Sequence, residues 1–313
     1  MDSKNSFKNI RSKYILKKML NILHKIRLLK LIYKNKNLQN ELYIGINDYK
    51  KLYEKIEIEI TPYDKYYQDN ECSFINIPLK REKYYHLYIN DEKNESEKKV
   101  FNKDDNIQKL KIVIDNEIIS LDYLFAHRED IEKIKFIKFN RNNIKNMNHM
   151  FYDCKNLEEI DLTIFNTDNV NNMKAMFRDC SSLKKLNLNS FNTIKVINMR
   201  DMFQRCSLLE EININNFNTK NVEDMVCMFQ KCSSLKELNL ENFETNSLIC
   251  MNDMFDQCSS LRELNINNFK TSGVTHRRHV FDGCSGFLSI KISNKNILKS
   301  DRALWDLLNQ EII

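Results

Sequence analysis

Cysteine, histidine and aspartate are the residues of this 313-residue chain whose types and spacing could do chemistry. Asp224, Cys250 and His276 lie 26 residues apart, and so do Cys227, Asp253 and His279. If the chain repeats with that period, all six stand in two columns on one edge of three neighbouring units. Thiolate, imidazole and carboxylate ligands suit zinc. The competing reading is ordinary surface variation, because neighbouring units diverge on that edge and Arg277 and Arg278 add repelling charge. Surface variation is favoured, so no metal and no other cofactor is expected. Six more cysteines, Cys154, Cys180, Cys206, Cys232, Cys258 and Cys284, share the same spacing of 26. An even number invites a disulfide framework. Residues of one column point in parallel, however, and pairing them would break an equivalence that the spacing preserves. Buried reduced thiols are therefore expected, and these suit a reducing compartment. The chain has no Gly-rich phosphate loop, no H-E-x-x-H motif and no evident nucleophile–base pair, so no catalytic residue and no enzyme is expected.

The elements that position these residues follow from the period. Met176, Phe177, Cys180, Leu183, Leu186, Leu188, Phe191, Thr193, Val196 and Met199 recur 26 residues on as Met202, Phe203, Cys206, Leu209, Ile212, Ile214, Phe217, Thr219, Val222 and Met225. A period of this size means a solenoid. Val170, Met173, Met176, Phe177 and Cys180 are three or four apart, which predicts one face of a short helix or helical turn. Leu183, Leu186 and Leu188 then switch to a strand pattern, with Asn187 facing outward. Thr193 is placed to cap the turn that starts the next helical piece. One such unit cannot bury its apolar side, so its neighbours must stack.

These residues resemble the BspA-like leucine-rich repeat family of surface proteins and mycoplasma lipoproteins. The resemblance is carried best by Met228, Phe229, Cys232, Ser233, Ser234, Leu235, Leu238, Leu240, Phe243, Thr245 and Met251, with Leu248 in place of the family's valine. It implies a leucine-rich-repeat fold and a role in adhesion or protein recognition, with no catalytic motif to carry over. The expected fold class is an α/β repeat solenoid of about seven 26-residue coils over residues 124–293. In the first coil Arg128 stands where the template has cysteine.

Outward strand positions form the candidate partner-binding surface. Asp161, Asn187, Asn213, Asn239 and Asn265 make one polar column. Glu159, Lys185, Glu211, Glu237 and Glu263 make a second, and Glu158, Lys184, Glu210, Lys236 and Arg262 a third. An asparagine ladder that merely solubilises an exposed sheet is the plainer reading. A face that recognises a folded protein or peptide is the functional one.

Three further segments complete the chain. Residues 41–123 alternate as Ile56, Ile58 and Ile60 do, and hold strand patterns at Phe74–Ile77, Tyr84–Ile89 and Leu110–Ile114. They predict a small β-rich module that covers the open N-terminal end of the repeats. Residues 294–313 predict a capping helix, with Ser300 as N-cap and Leu304, Trp305, Leu307 and Leu308 as its apolar stripe. Residues 1–36 carry eleven Lys and Arg against one acid, a net of +10, which leaves −4 of the chain's +6 to the remainder. Residues 1–40 therefore predict basic amphipathic helices. Within residues 10–40, Ile15-Leu16-x-x-Met19-Leu20-x-x-Leu23 and Leu28-Leu29-x-Leu31 also resemble the F-box, although Arg11-Ser12-Lys13 stands at that family's Leu-Pro start. This resemblance implies docking on a Skp-type adaptor of a ubiquitin ligase. No stacking platform for nucleic acid is visible, and no run reaches the ~20 apolar residues of a membrane span. No secretory pattern is seen either. Three functions stay open: an intracellular recognition scaffold, which is favoured, an F-box-like substrate adaptor, and a surface adhesin reaching the cell surface by a non-standard route. Cytoplasmic location is expected.

Overall fold

The computed structural model describes residue 36, residues 54–266 and 268–284, and the backbone of residues 289–291. The chain divides into two compact units, Met1–Lys55 and Ile56–Ile313. Lys36 apart, the F-box-like stretch 10–40 lies outside the described residues, and so does the capping helix expected within 294–313.

Ten strands are described: β1 (Ile56–Pro62), β2 (Tyr85–Ile89), β3 (Leu110–Ile114), β4 (Ile131–Phe139), β5 (Glu159–Asp161), β6 (Lys185–Asn187), β7 (Glu211–Asn213), β8 (Glu237–Asn239), β9 (Glu263–Asn265) and β10 (Ser289–Lys291). The first five form one sheet in the order β2-β3-β1-β4-β5. β1 is antiparallel to both β3 and β4, with Ile58 opposite Ile112 on one side and Phe136 on the other. Ile56, Ile58 and Ile60 are fully buried, as their alternation requires. From β4 onward the pairing changes to parallel, and each pair joins residues 26 apart: β4 with β5, β6 with β7, β8 with β9, β9 with β10. A second parallel ladder runs along the opposite edge of the coils, through Ser120, Asn146, Asn172, Asn198, Asp224, Cys250 and His276. Short strands joined by turns can stack this way only if each coil hands its backbone groups to the next.

The expectation of helical pieces in each coil is corrected. Among the described residues of the second unit, the helical segments are α1 (Asp64–Tyr67) and two 3-10 turns at Leu79–Tyr84 and Lys103–Asp105. In place of a helix, residues 173–180 form consecutive β-turns. Met176 N–H bonds to Met173 O at 3.3 Å and Cys180 N–H to Phe177 O at 3.1 Å. Ala175 and Asp179, third in these turns, take the left-handed conformation at φ +52° and +60°. The alternate N–H groups of Met173, Ala175, Phe177 and Asp179 donate to Asn198, Arg200, Met202 and Gln204 of the next coil. A helix would spend these same donors within itself. Turns closing at i+3 place apolar residues three and four apart, so the sequence pattern of the two is alike.

The core is a set of columns. Phe125, Phe151, Phe177, Phe203, Phe229, Phe255 and Phe281 stack ring on ring, with centroids 5.3–5.9 Å apart. Phe165, Phe191, Phe217, Phe243 and Phe269 form a second stack at 5.7–6.5 Å. The repeated cysteines are free thiols. They do more than fill space: Cys180 Sγ donates to Phe151 O at 3.0 Å, and Cys154, Cys206, Cys232, Cys258 and Cys284 do the same to the phenylalanine carbonyl 29 residues back. Burial pushes the thiol pKa of Cys180, Cys206, Cys232 and Cys258 well up, so each keeps the proton that it donates.

Thr193 also departs from expectation. It caps no helix. Its buried hydroxyl donates to Asn218 O at 2.9 Å and accepts from Asn218 N–H at 2.7 Å, so it ties one coil to the next. Thr193→Val is expected to cost ~1–3 kcal/mol, since it removes both bonds without changing shape. Thr193→Ser keeps them. Urea midpoints that are equal for the two variants would show that the hydroxyl contributes nothing.

The segment Phe74–Ile77, expected as a strand, is not one. Phe74 sits at φ +56° with its ring fully buried. Its N–H donates to the Asp130 carboxylate at 3.0 Å. Asn76 donates through Nδ2 to the carbonyls of Tyr123 and Ala126, at 2.7 and 2.8 Å. The chain bends here to clasp the first coil, and an extended strand could not reach both anchors.

Candidate interaction surface

Strand β6 shows how a coil builds its outer face. Leu186 turns inward and is buried, which leaves Lys185 and Asn187 exposed on either side of it. Asn187 Oδ1 accepts from the N–H of Asn189 at 3.1 Å, closing the bend that ends the strand. Asn213 does the same for Asn215 at 3.4 Å and Asn239 for Glu241 at 3.1 Å. Asp161 serves Thr163, accepting its N–H at 3.0 Å and its hydroxyl at 2.7 Å. Those bonds, the hydroxyl's first, hold the Asp161 carboxyl below its usual pKa. The asparagine column is thus partly explained by local turn chemistry.

Six neighbouring strands, β4 to β9, line a groove of about 1100 Å³. Four of the five column residues line it: Asn187, Asn213, Asn239 and Asn265. Asp161 continues the column but is not part of the lining. Glu159, Lys185, Glu211, Glu237 and Glu263 of the second column all line the groove, whereas only Glu158 and Lys184 of the third do. Lys133 pairs with Glu159 at 3.7 Å and Lys185 with Glu211 at 2.8 Å, both on exposed side chains. Pairs so exposed organise the face more than they stabilise it. Asn215 lines the groove too. It belongs to a column with Thr163, Asn189, Glu241 and Asn267 that is polar throughout at the same period, and that regularity was a readable signal.

The six candidate metal ligands do not converge. Cys250 and His276 are brought together, with Sγ 3.5 Å from Nδ1. Asp224 is committed elsewhere: its Oδ1 accepts from Val226 N–H at 3.0 Å, and its other oxygen lies 3.7 Å from Arg200. His279 pairs with Asp282 at 2.7 Å. Cys227, Asp253 and His279 occupy the left-handed corner of successive turns, at φ +55°, +56° and +57°. Burial, helped by Asp201 and Asp253, pushes the Cys227 thiol up to about 12. Burial, helped by Asp224, also raises that of Cys250. Both shifts oppose the thiolate that zinc requires. Among the described residues, no three His, Cys, Asp or Glu side chains are grouped to hold a metal ion. No described helix is long and apolar enough to cross a membrane.

Two solved structures are similar. One is a leucine-rich repeat protein from Bacteroides ovatus, at 15% identity over 57% of this chain and 65% of that one, with a TM-score of 0.27. The other is a leucine rich cell surface protein from Faecalibacterium prausnitzii, at 10% identity over 72% and 97%, with a TM-score of 0.14. This chain thus spans 65% of the length of the first. No curated protein matches it. The family model described as "Mycoplasma protein of unknown function, DUF285" matches residues 119–212 and again 207–304, more than half of the chain and nearly all of its repeats. The stacked 26-residue coils are therefore those of the DUF285 family, to which this chain belongs.

Proposed function

We propose that this chain is a non-catalytic recognition scaffold that holds a protein partner on its strand face. On this reading about seven coils form a leucine-rich-repeat solenoid, and the module of residues 41–123 covers its N-terminal end. Asp161, Asn187, Asn213, Asn239 and Asn265 are its contact column. The observation that carries the proposal is the groove itself, which runs over six strands with polar groups outward and leucine or isoleucine inward. Repeat proteins use extended surfaces of this kind for binding. Six free thiols that donate to backbone carbonyls favour a reducing compartment such as the cytoplasm.

Affinity capture from the native cell type tests the reading, with three baits: the full chain, a version lacking residues 1–40, and the double variant Asn213→Lys/Asn239→Lys. Lysine is tolerated in that column, because Lys135 occupies it in β4. Partners of the strand face should be recovered with the first two baits and fall at least about tenfold with the third. Partners lost only on removal of residues 1–40, a Skp-type adaptor among them, would move the function to the N-terminal segment. Identical recovery with all three baits would overturn the face as the binding site.

A further inference from the structure

Three exposed apolar side chains meet at one place beside the first coil. Leu79 is 91% exposed, Val100 52% and Tyr123 45%, and all three border a hollow of about 460 Å³. Ile75, Ile77 and Pro78 complete its apolar wall. The fold itself does not ask for Leu79. It opens the 3-10 turn Leu79–Tyr84, of which no residue is buried. Arg81 N–H donates to Pro78 O at 2.8 Å, a bond that any side chain at position 79 allows. A leucine held out in water beside an apolar hollow marks a contact surface.

The charges at this patch are of both signs and unspent. Glu82 and Asp122 line the hollow, and Lys80 and Arg81 stand beside Leu79 on the turn. All four are exposed, and among the described residues none of them makes an ion pair. The Asp122 carboxylate accepts from the Ser120 hydroxyl, a neutral donor. The other nearby cations are engaged: Lys99 with Glu95 at 3.8 Å, and Lys83 over the Tyr84 ring at 4.9 Å. These features narrow the occupant. An anionic surface would meet Glu82 and Asp122, and a basic segment would meet Lys80 and Arg81. A purely apolar occupant would strip water from all four without replacing it. What fits is a surface that offers a protruding apolar side chain, an apolar hollow and charges of both signs. The patch is itself such a surface. We propose that it pairs with the same patch on a second copy of this chain. Elements of a two-fold contact meet reciprocally, so Leu79 of each copy enters the hollow of the other. Lys80 and Arg81 of each copy then face Glu82 and Asp122 of the other. A contact of this small size gives a weak dimer, in the micromolar range. None of these residues lines the strand-face groove, so the two proposals stand or fall separately.

The test is sedimentation velocity of the full chain from about 1 to 100 µM, where a micromolar dimer forms. The sedimentation coefficient should rise with concentration toward that of a dimer. Leu79→Glu should weaken association at least about tenfold, because it brings a carboxylate to an apolar hollow. Ile197→Glu, at an exposed isoleucine outside the hollow, should leave it unchanged. Two charge reversals, Lys80→Glu/Arg81→Glu and Glu82→Lys/Asp122→Lys, should each weaken self-association at least about tenfold. An equal mixture of the two should associate again, and salt should weaken that association. A chain that stays monomeric over the whole range overturns the proposal, as do equal losses for Leu79→Glu and Ile197→Glu. Failure of the mixture to associate also overturns it, since the charges then do not meet across the contact. If the chain is monomeric and Leu79→Glu loses a protein captured from the native cell, the patch belongs to that protein and not to a second copy.

Discussion

Phe203→Ala is expected to lower the stability of the protein by ~3–5 kcal/mol, measured as the shift in free energy of urea unfolding. Phe203 is fully buried between Phe177, at 5.9 Å, and Phe229, at 5.4 Å. Removing the ring leaves a hole in the middle of a seven-ring column, and the neighbours cannot close on it. Their backbones are held at the spacing of the coils by Phe177 N–H to Met202 O and Phe203 N–H to Met228 O, both 2.9 Å. The cost is therefore the lost transfer energy of the ring plus an unrelaxed cavity. A loss below ~1 kcal/mol at Phe203 would mean that the column is not the core.

Asp130→Ala is expected to cost about 3 kcal/mol, nearly as much, for an electrostatic reason. Arg128 takes the cysteine position in the first coil, where no preceding coil offers a carbonyl to a thiol. Its guanidinium instead bonds to Ser73 Oγ and lies 3.9 Å from Asp130, which is almost wholly buried. Asp130 also accepts from Phe74 N–H at 3.0 Å. The pair is therefore the clasp between the bend at residues 73–76 and the first coil. Truncating the aspartate leaves the Phe74 amide without its acceptor and a largely buried guanidinium without its counter-ion. Replacing both ions, with Arg128→Met and Asp130→Leu together, should cost less than Asp130→Ala alone. If the single variant costs under ~1 kcal/mol, the clasp is incidental.

The same residue gives a pH signature. Burial raises the pKa of the Asp130 carboxyl, although Arg128 and the Phe74 N–H pull it down. The folded state then holds a proton that the unfolded chain has already released. Its contribution is full below the unfolded value of ~3.9 and is lost as pH rises through the folded value. Stability relative to the non-titrating variant Asp130→Asn should therefore fall as pH rises from about 4. A difference that instead grows with pH would mean that Arg128 outweighs burial.

By itself the sequence determined the repeat, its register and what faces inward. The reason is that every coil must offer its neighbour the same surface, so Phe, Cys, Leu and Thr return every 26 residues and any slip would bury charge. The polar columns at Asn187, Asn213 and Asn239 were legible on the same ground. What the chain direction could not settle was where the backbone hydrogen bonds go. Apolar residues three and four apart fit a helix and a row of β-turns equally well. The choice fell to turns because Met173, Ala175, Phe177 and Asp179 find acceptors in the next coil, and those acceptors exist only once the coils are stacked. Phe74–Ile77 left its strand pattern for the same kind of reason, since Asp130 and the carbonyls of Tyr123 and Ala126 are distant in sequence. The candidate metal ligands were a matter of tertiary structure as well. Sharing a period placed Asp224, Cys250 and His276 on one ladder, but side-chain direction, Arg200 and the Val226 N–H decided which of them meet.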